Sequence, residues 1–358
     1  MSNNLEFAKV FQSALDKQMI ESLTSGWMEL NSSLVKYNGG DEVKIPKLSM
    51  QGLGNYNRSN GYVEGDVTLQ WETRKLTQDR GRSLEIDAMD VDETAYQATI
   101  PNIMGEFQRI KVAPEIDAYR YSTLAKLATN ANKKRELDVN IINIYIELLK
   151  DINKVQDIIG DVLLVISLNK KLSPLLAMNE KIAKMITVSD FDKGEIKTKV
   201  KKIDEHFIIE VPSARMKSAY TFAADGAGGF TPAGGAKDIN WIICPRTTPI
   251  AISKTDTIRI FDPLTNQNAN AWKTDYRKYH DIWVTDNGLD GLFVNTSSNG
   301  ITFGLRNEIK KEEDSVLAKS NDKQYIEMSL EELKTVAKEK GIEGYYKLNK
   351  AELLEVLE

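Results

Sequence analysis

Cysteine is almost absent from this chain. Cys244 stands alone in 358 residues, which excludes a disulfide framework within one chain and any cysteine-built zinc cluster. Its setting, "INWIICP", reads as that of a small buried hydrophobe. Histidine is nearly as scarce. His206 and His280 lie far apart and neither sits in HExxH or beside a Cys ligand, so a metallohydrolase or a nucleophilic triad has no support and both read as structural. No apolar run approaches the roughly 18 residues that a membrane helix needs. A strong charge of one sign is missing too. The 47 Lys and Arg against 52 Asp and Glu leave a net charge of −5, and tight sequestration of nucleic acid, which requires cations that displace condensed counterions, is not expected. The opening "MSNNLEFAKVF" lacks a basic leader and a small-residue cleavage site, so no secretory signal is expected.

Three stretches invite a chemical reading and do not sustain it. The glycines of "GAGGFTPAGGAKD" fall short of a phosphate loop, because Lys237 is followed by Asp238 rather than Ser or Thr, and a surface loop is expected there. The carboxylates Asp87, Asp90, Asp92 and Glu93 lack the spacing and the glycine of an EF-hand, and read as a solvated or Arg-paired acidic face. "TDNGLDG" lies between two β-rich runs and reads as a hairpin turn, with Ile282 to Thr285 returning as Leu292 to Asn295. No catalytic, cofactor-binding or metal-ligating residues emerge, and the chain is not expected to be an enzyme.

What is present is a definite order of elements. Residues 5 to 30 place Phe7, Val10, Phe11, Leu15, Met19 and Leu23 at helical spacing, with Gly26 as the stop. From Tyr37 to Asp87 the chain turns rich in Gly and Asn, with period-2 stretches at Val43 to Ile45 and Val67 to Trp71. Helical period returns beyond "DAMDVDET", broken at Pro101 and Pro114, and Ile116, Tyr119, Thr123, Leu124 and Leu127 form one stripe. Pro114 suits a first helical turn, where its missing N–H costs nothing. "VNIINIYIELLKDINKVQDIIG" predicts a helix ending at Gly160, "DVLLVISL" a buried strand and "SPLLAMNEKIAKM" a short helix. "HFIIEVPS" and "INWIICPRTTPIAIS" are strand-like and flank the glycine loop. Helices mixed with strands in this order predict an α/β or α+β domain.

One stretch stands apart. "QWETRKLTQDRGRSLEID", residues 70 to 87, alternates, turns at Asp79-Arg80-Gly81 and alternates again, so it reads as a hairpin. It carries Arg74, Lys75, Asp79, Arg80, Arg82 and Glu85, with only Trp71, Leu76, Leu84 and Ile86 as apolar anchors. An isolated hairpin is marginal in water, so this one is expected to rest on a partner surface such as a neighbouring copy.

The last thirty residues repeat a device. Ser329 with Glu332 and Asn349 with Glu352 are capping boxes, each opening a short apolar helical face, and Gly341 ends the first helix. The pattern from Leu330 to Leu357 resembles the helix-extended-loop-helix motif of the SAP and Rho N-terminal families. That resemblance implies nucleic-acid contact through Lys334, Lys338, Lys347 and Lys350; a protein-contact or tethering role stands beside it, since the segment holds five lysines and seven glutamates.

Taken together, "VTLQWETRKLTQDRGRSLEIDAMDVDET", "VAPEIDAYRYSTLAKLA" and "NAWKTDYRKYHDIWV", in this order, resemble the major capsid proteins of tailed bacteriophages and prophages, over roughly residues 1 to 300. The resemblance implies an α+β shell fold of Hong Kong 97 type with residues 1–35 as an N-terminal arm, 36–90 as an extended loop, 91–130 and 266–305 as a peripheral domain with a spine helix, and 131–265 as an axial domain. Residues 306–328 would be a linker and 329–358 a small all-α module. The implied function is self-assembly into the icosahedral shell enclosing phage DNA, in the virion and assembled in the host bacterial cytoplasm. Trp71, Arg74, Arg80 and Arg82 on the extended loop would contact neighbouring subunits. Implied partners are further copies in hexamers and pentamers, a separate scaffolding protein, a portal, and DNA enclosed without tight binding, with no cofactor and no membrane. The scaffolding protein is expected to be separate because the arm-like helix starts within the first ten residues. An encapsulin-like protein compartment is the alternative, and an enzyme with an unrecognised site a third reading.

Overall fold

The computed structural model describes residues 22–37, 41–59, 61–62, 64–93, 100–140, 143–178, 186–193, 196–223, 228–298, 300–301, 329–339 and 349–352. Residues 1–301 form one compact unit and 302–358 a second. The first strands of the large unit are β1 (Lys36–Tyr37), β2 (Glu42–Met50), β3 (Val67–Lys75) and β4 (Gln78–Asp87). The middle of the chain adds β5 (Lys134–Glu136), β6 (Leu164–Asn169), β7 (Thr187–Lys193), β8 (Ile196–Ile203) and β9 (His206–Val211). Then come β10 (Tyr220–Phe222), β11 (Phe230–Pro232), β12 (Ile239–Pro245), β13 (Pro249–Phe261), β14 (Ala271–Val284) and β15 (Phe293–Thr296).

A seven-stranded mixed sheet, in the order β5-β15-β12-β6-β9-β8-β7, forms the centre. Its inner strands β6 and β12 are buried along their whole length, which explains why "LVISLN" and "INWIICP" are continuous apolar runs rather than alternating ones. Successive side chains point to opposite faces. Val165, Ile242 and Cys244 pack with Tyr121, Leu124, Ala125 and Ala128 of the helix Ala113–Asn130, while Leu164, Ile166, Trp241 and Ile243 pack with Ile144, Leu148, Ile152 and Val155 of the helix Ile144–Ile159. Each fully buried aliphatic side chain of this kind contributes roughly 1.5–3 kcal/mol. Gly160 ends the second helix at φ 84°, a conformation that a side chain would strain.

The helix Ala113–Asn130 does not begin at Pro114. It continues upstream through a single π-helical turn, Gln108–Val112, into Ile100–Phe107. A proline in an α-helix collides with the carbonyl four residues earlier, here Ile110, and the wider turn at that point carries the chain past Pro114 unbroken. At the other end of the sequence the predicted helix over 5–30 lies mostly outside the described residues. Gly26 is not its stop: it opens a 3-10 helix, Gly26–Leu34.

Two hairpins expected from the sequence are absent, and for the same reason. β3 pairs with β2, whereas β4 pairs with β14, so Asp79-Arg80-Gly81 is the start of a strand and not a turn. Likewise β14 pairs with β13 and β4, while β15 pairs with β12 and β5, and the 3-10 turn Asn287–Gly291 carries the chain from one sheet to the other. Alternation marks a segment as extended but leaves its partner open, and burial against distant strands decided both cases. The glycine loop holds a strand as well: Phe230 pairs with Phe222 across β10 and β11, with Tyr220 stacked edge-on 5.4 Å from Phe230.

Candidate functional site: an exposed ribbon and a cationic groove

Both histidines and the cysteine are buried. His206 accepts from the Leu164 N–H at 3.3 Å through Nδ1, and burial lowers its pKa. His280 lies edge-on to Tyr119, with ring centres 5.6 Å apart. The Cys244 thiol is pushed up to about 12 by burial alone, which makes it a poor nucleophile. Among the described residues no three His, Cys, Asp or Glu side chains converge as a metal site.

The conspicuous surface feature is a ribbon. β2 and β3 pair from Glu42↔Lys75 to Met50↔Val67, with residues 51 to 66 joining them at the tip. All nine residues of β3 are exposed. At the root, Val43, Ile45 and Leu76 are buried with Val35, Ile250 and Ile252, and Lys47 meets Asp286 at 2.5 Å. Above the root nothing in the described chain covers the ribbon. Met50, Val67 and Leu69 are exposed, and at the tip Leu53 is 107% exposed, while Tyr56 and Tyr62 stack edge-on 5.1 Å apart. Trp71 lies across from Pro46 under the Lys36 ammonium, 4.5 Å from the ring centre, and Arg74 meets Glu72 at 2.9 Å.

The ribbon joins the body at Leu76-Thr77. Asp281 accepts from the Thr77 N–H at 2.8 Å, the Thr77 hydroxyl at 2.9 Å and the Tyr119 hydroxyl at 2.7 Å, which pins the point where the chain changes sheets. Five residues past the end of β3, Arg80 turns inward. Its Nε donates to Glu115 at 2.7 Å and its Nη1 to the Ala223 carbonyl at 2.7 Å. Arg82 is exposed on the same strand, across from Tyr276. The four contact residues expected from the sequence therefore divide: Trp71 and Arg74 stand on the ribbon, Arg80 and Arg82 on the body. Gly81 between the two arginines has a steric role, since a Cβ there would lie 2.9 Å from the Tyr276 carbonyl oxygen.

Arg80 and Arg82 border a groove of about 730 Å³. Its walls are β4 and β14, the π-turn with the start of the following helix, and the loop at Ala223 and Gly228–Phe230. Leu84, Phe107, Ile110, Val112, Phe230 and Tyr276 give it an apolar lining. The charged lining comprises Arg80, Arg82, Lys111 and Lys278 against Asp79 and Glu115. No local pattern in the sequence marks this groove, because its residues come from four separated segments.

The long helix also carries a buried ionic network. Asp117, wholly buried, accepts from the backbone and hydroxyl groups of Thr24 and Ser25 and from Arg215 Nη1, the last at 2.8 Å. Arg120, also wholly buried, pairs with Glu29. Burial opposes ionisation of Glu29, but Arg120 and Lys278 outweigh it and hold the carboxyl below its usual range. These bonds fix the segment from Thr24 onward to the long helix.

In the small unit, Lys334 and Lys338 lie on the helix Leu330–Glu339, Lys350 lies in the turn after Asn349, and Lys347 lies outside the described residues. The second capping box is formed: the Asn349 side chain accepts from the Ala351 and Glu352 N–H groups at 3.0 Å, and Glu352 accepts from the Asn349 N–H at 2.8 Å.

Residues 324–358 match the family model of the Rho termination factor, N-terminal domain. No curated protein matches the chain in sequence. Among solved structures, this chain is similar to one from the asymmetric unit of the bacteriophage PhiM1 mature capsid, at 13% identity and a TM-score of 0.50 over 73% of this chain and 83% of that one. A structure from Gordonia phage Cozz matches at 16% identity and a TM-score of 0.49, over 75% of this chain and 86% of that one. A virus-like particle from Pyrococcus furiosus matches at 12% and 0.47, over 81% and 99%. The PhiM1 likeness shows the fold: it is the α+β shell fold of Hong Kong 97 type.

Proposed function

We propose that this chain is a structural protein that assembles with copies of itself into the closed capsid shell of a tailed bacteriophage or prophage. The observation that carries this reading is the ribbon of β2 and β3: an arm with apolar residues on its strands and tip, uncovered in the described chain, projecting from a body whose own cores are complete. A free arm of that kind is an aggregation hazard in a monomer and a lattice contact in an assembly. Repeated head-to-tail contacts close into rings and shells. The extended loop, with Trp71 and Arg74, contacts a neighbouring subunit; Arg80 and Arg82 act from the body. Hexamers and pentamers, a separate scaffolding protein, a portal and loosely enclosed DNA complete the assembly, in the host cytoplasm and then the virion. The mildly acidic net charge suits DNA that must remain mobile. The segment matching the Rho termination factor domain is an appendage that contacts nucleic acid or a protein through Lys334, Lys338, Lys347 and Lys350.

Electron microscopy of the expressed protein, with and without its genomic neighbours, tests the reading. Thin-walled polyhedral particles are expected. Small discrete oligomers under every condition would overturn it, and particles filled with protein rather than DNA would make the chain a compartment shell instead.

A further inference from the structure

We infer that His206 is a proton-operated latch within the folded chain: neutral, its ring ties the start of β6 to the turn between β8 and β9, and on gaining a proton it leaves that seat for the carboxylates around it and frees residues 160–164. The inference concerns the single chain and stands or falls apart from the shell reading above.

The seat has no place for a second ring proton. His206 is 6% exposed, where the β8–β9 hairpin closes with Ile203 opposite His206, and one residue ahead of the parallel pairing of β6 with β9 at Val165↔Phe207. Both ring nitrogens face donors. Nδ1 accepts from the Leu164 N–H at 3.3 Å, and Nε2 lies 3.4 Å from the Gln156 amide nitrogen. That nitrogen also donates to Asp161 at 2.9 Å, which sets the orientation of the amide and leaves its second N–H for the ring. A neutral imidazole has one acceptor nitrogen, and a protonated one has none. The neutral ring satisfies one of its two donors, whereas the protonated ring would set two N–H groups against two others in a buried site.

Outside the seat the preference reverses. Asp161 faces the ring from the turn after the helix Ile144–Ile159, and Lys202, Asp204 and Glu205 face it from β8 and its turn. All three carboxylates are exposed. Burial opposes the proton most strongly, the carboxylates favour it and Lys202 opposes it; in the seat burial prevails and keeps the ring below its ordinary pKa. Turned outward, the ring escapes burial and keeps the carboxylates. The two positions therefore hold different protonation states, and the balance between them follows pH. The turn that carries the ring is itself strained, since Asp204 and Glu205 adopt φ of 46° and 70°, a conformation that side chains resist. Val162 and Leu163, both exposed, lie in the stretch that the Leu164 bond holds down, so release alters an apolar part of the surface.

The chain has two histidines, so carbon-13 labelling of the imidazoles in the full-length protein gives two signals, and His206→Asn identifies one of them. The His206 signal is expected to titrate below about pH 6.5. Hydrogen exchange read by mass spectrometry, corrected for the intrinsic pH dependence of exchange, should show protection of residues 160–164 falling by up to about twentyfold between about pH 7 and pH 5. In His206→Asn, whose Oδ1 can accept the Leu164 N–H but takes no proton in this range, the fall should vanish, while His280→Gln should leave it intact. Asp204→Asn with Glu205→Gln, which weakens the outer position, should move the His206 midpoint to lower pH and reduce the fall. Protection at 160–164 that ignores pH, a fall that survives in His206→Asn, or a midpoint that ignores the carboxylates would overturn the latch.

Discussion

His280 shows how a single residue couples this fold to pH. It is 3% exposed, and burial, with Arg120, Lys278 and Arg80 nearby, holds its pKa well below 6.5, so the ring is neutral in the folded chain. Above about pH 6.5 both folded and unfolded states are neutral here and the residue leaves stability unchanged. As pH falls below that, the unfolded chain takes a proton that the folded chain refuses, and stability declines toward the folded pKa. His280→Gln is therefore expected to lose less stability than the parent between about pH 7 and pH 5, by up to about 2 kcal/mol, when urea midpoints are compared. Equal losses would remove His280 from the account. Asp117 and Arg120 belong to the same scale. They are buried charges, each in an ion pair, and removing one partner of such a pair typically costs about 3–5 kcal/mol.

At the scale of elements, the ribbon and the strand that follows it have opposite relations to the body. All nine residues of β3 are exposed, while Leu84 and Ile86 of β4 pack with Met104 and Tyr276. Lys47 and Gln70 face each other across the ribbon, so an Asn-Gly turn joining them removes residues 48 to 69 without disturbing the root. Such a shortened chain is expected to melt within about 4 °C of the parent and to form no shells, as read by circular dichroism and electron microscopy. Normal shells would detach the ribbon from assembly. A deletion that reached into β4 would answer a different question, because it would strip an edge from the sheet β13-β14-β4.

The whole molecule divides at Ile301. The three largest apolar clusters all lie within residues 1–301, so a chain ending there keeps every one of them. It is expected to fold and to assemble into particles of the parent's diameter, measured by dynamic light scattering. Particles of another size, or none, would make residues 302–358 part of the assembly rather than an appendage.

Local patterns were enough to read the helix that ends at Gly160, the strands "LVISLN" and "INWIICP", the buried Cys244 and the capping box at Asn349, because each depends on residues close in sequence or on a run that is apolar throughout. Resemblance supplied the shell fold, which periodicity alone would have left at α/β or α+β. Partnership was not legible. Residues 70–87 read as one hairpin turning at Asp79-Arg80-Gly81, yet the chain changes sheets at Leu76-Thr77, and residues 282–295, read likewise as a hairpin, change sheets at Asn287–Gly291. The groove was invisible for the same cause. Alternation fixes that a segment is extended, but which strand lies beside it, and which side chains from distant segments then enclose a space, depends on long-range burial that exists only once the chain has folded.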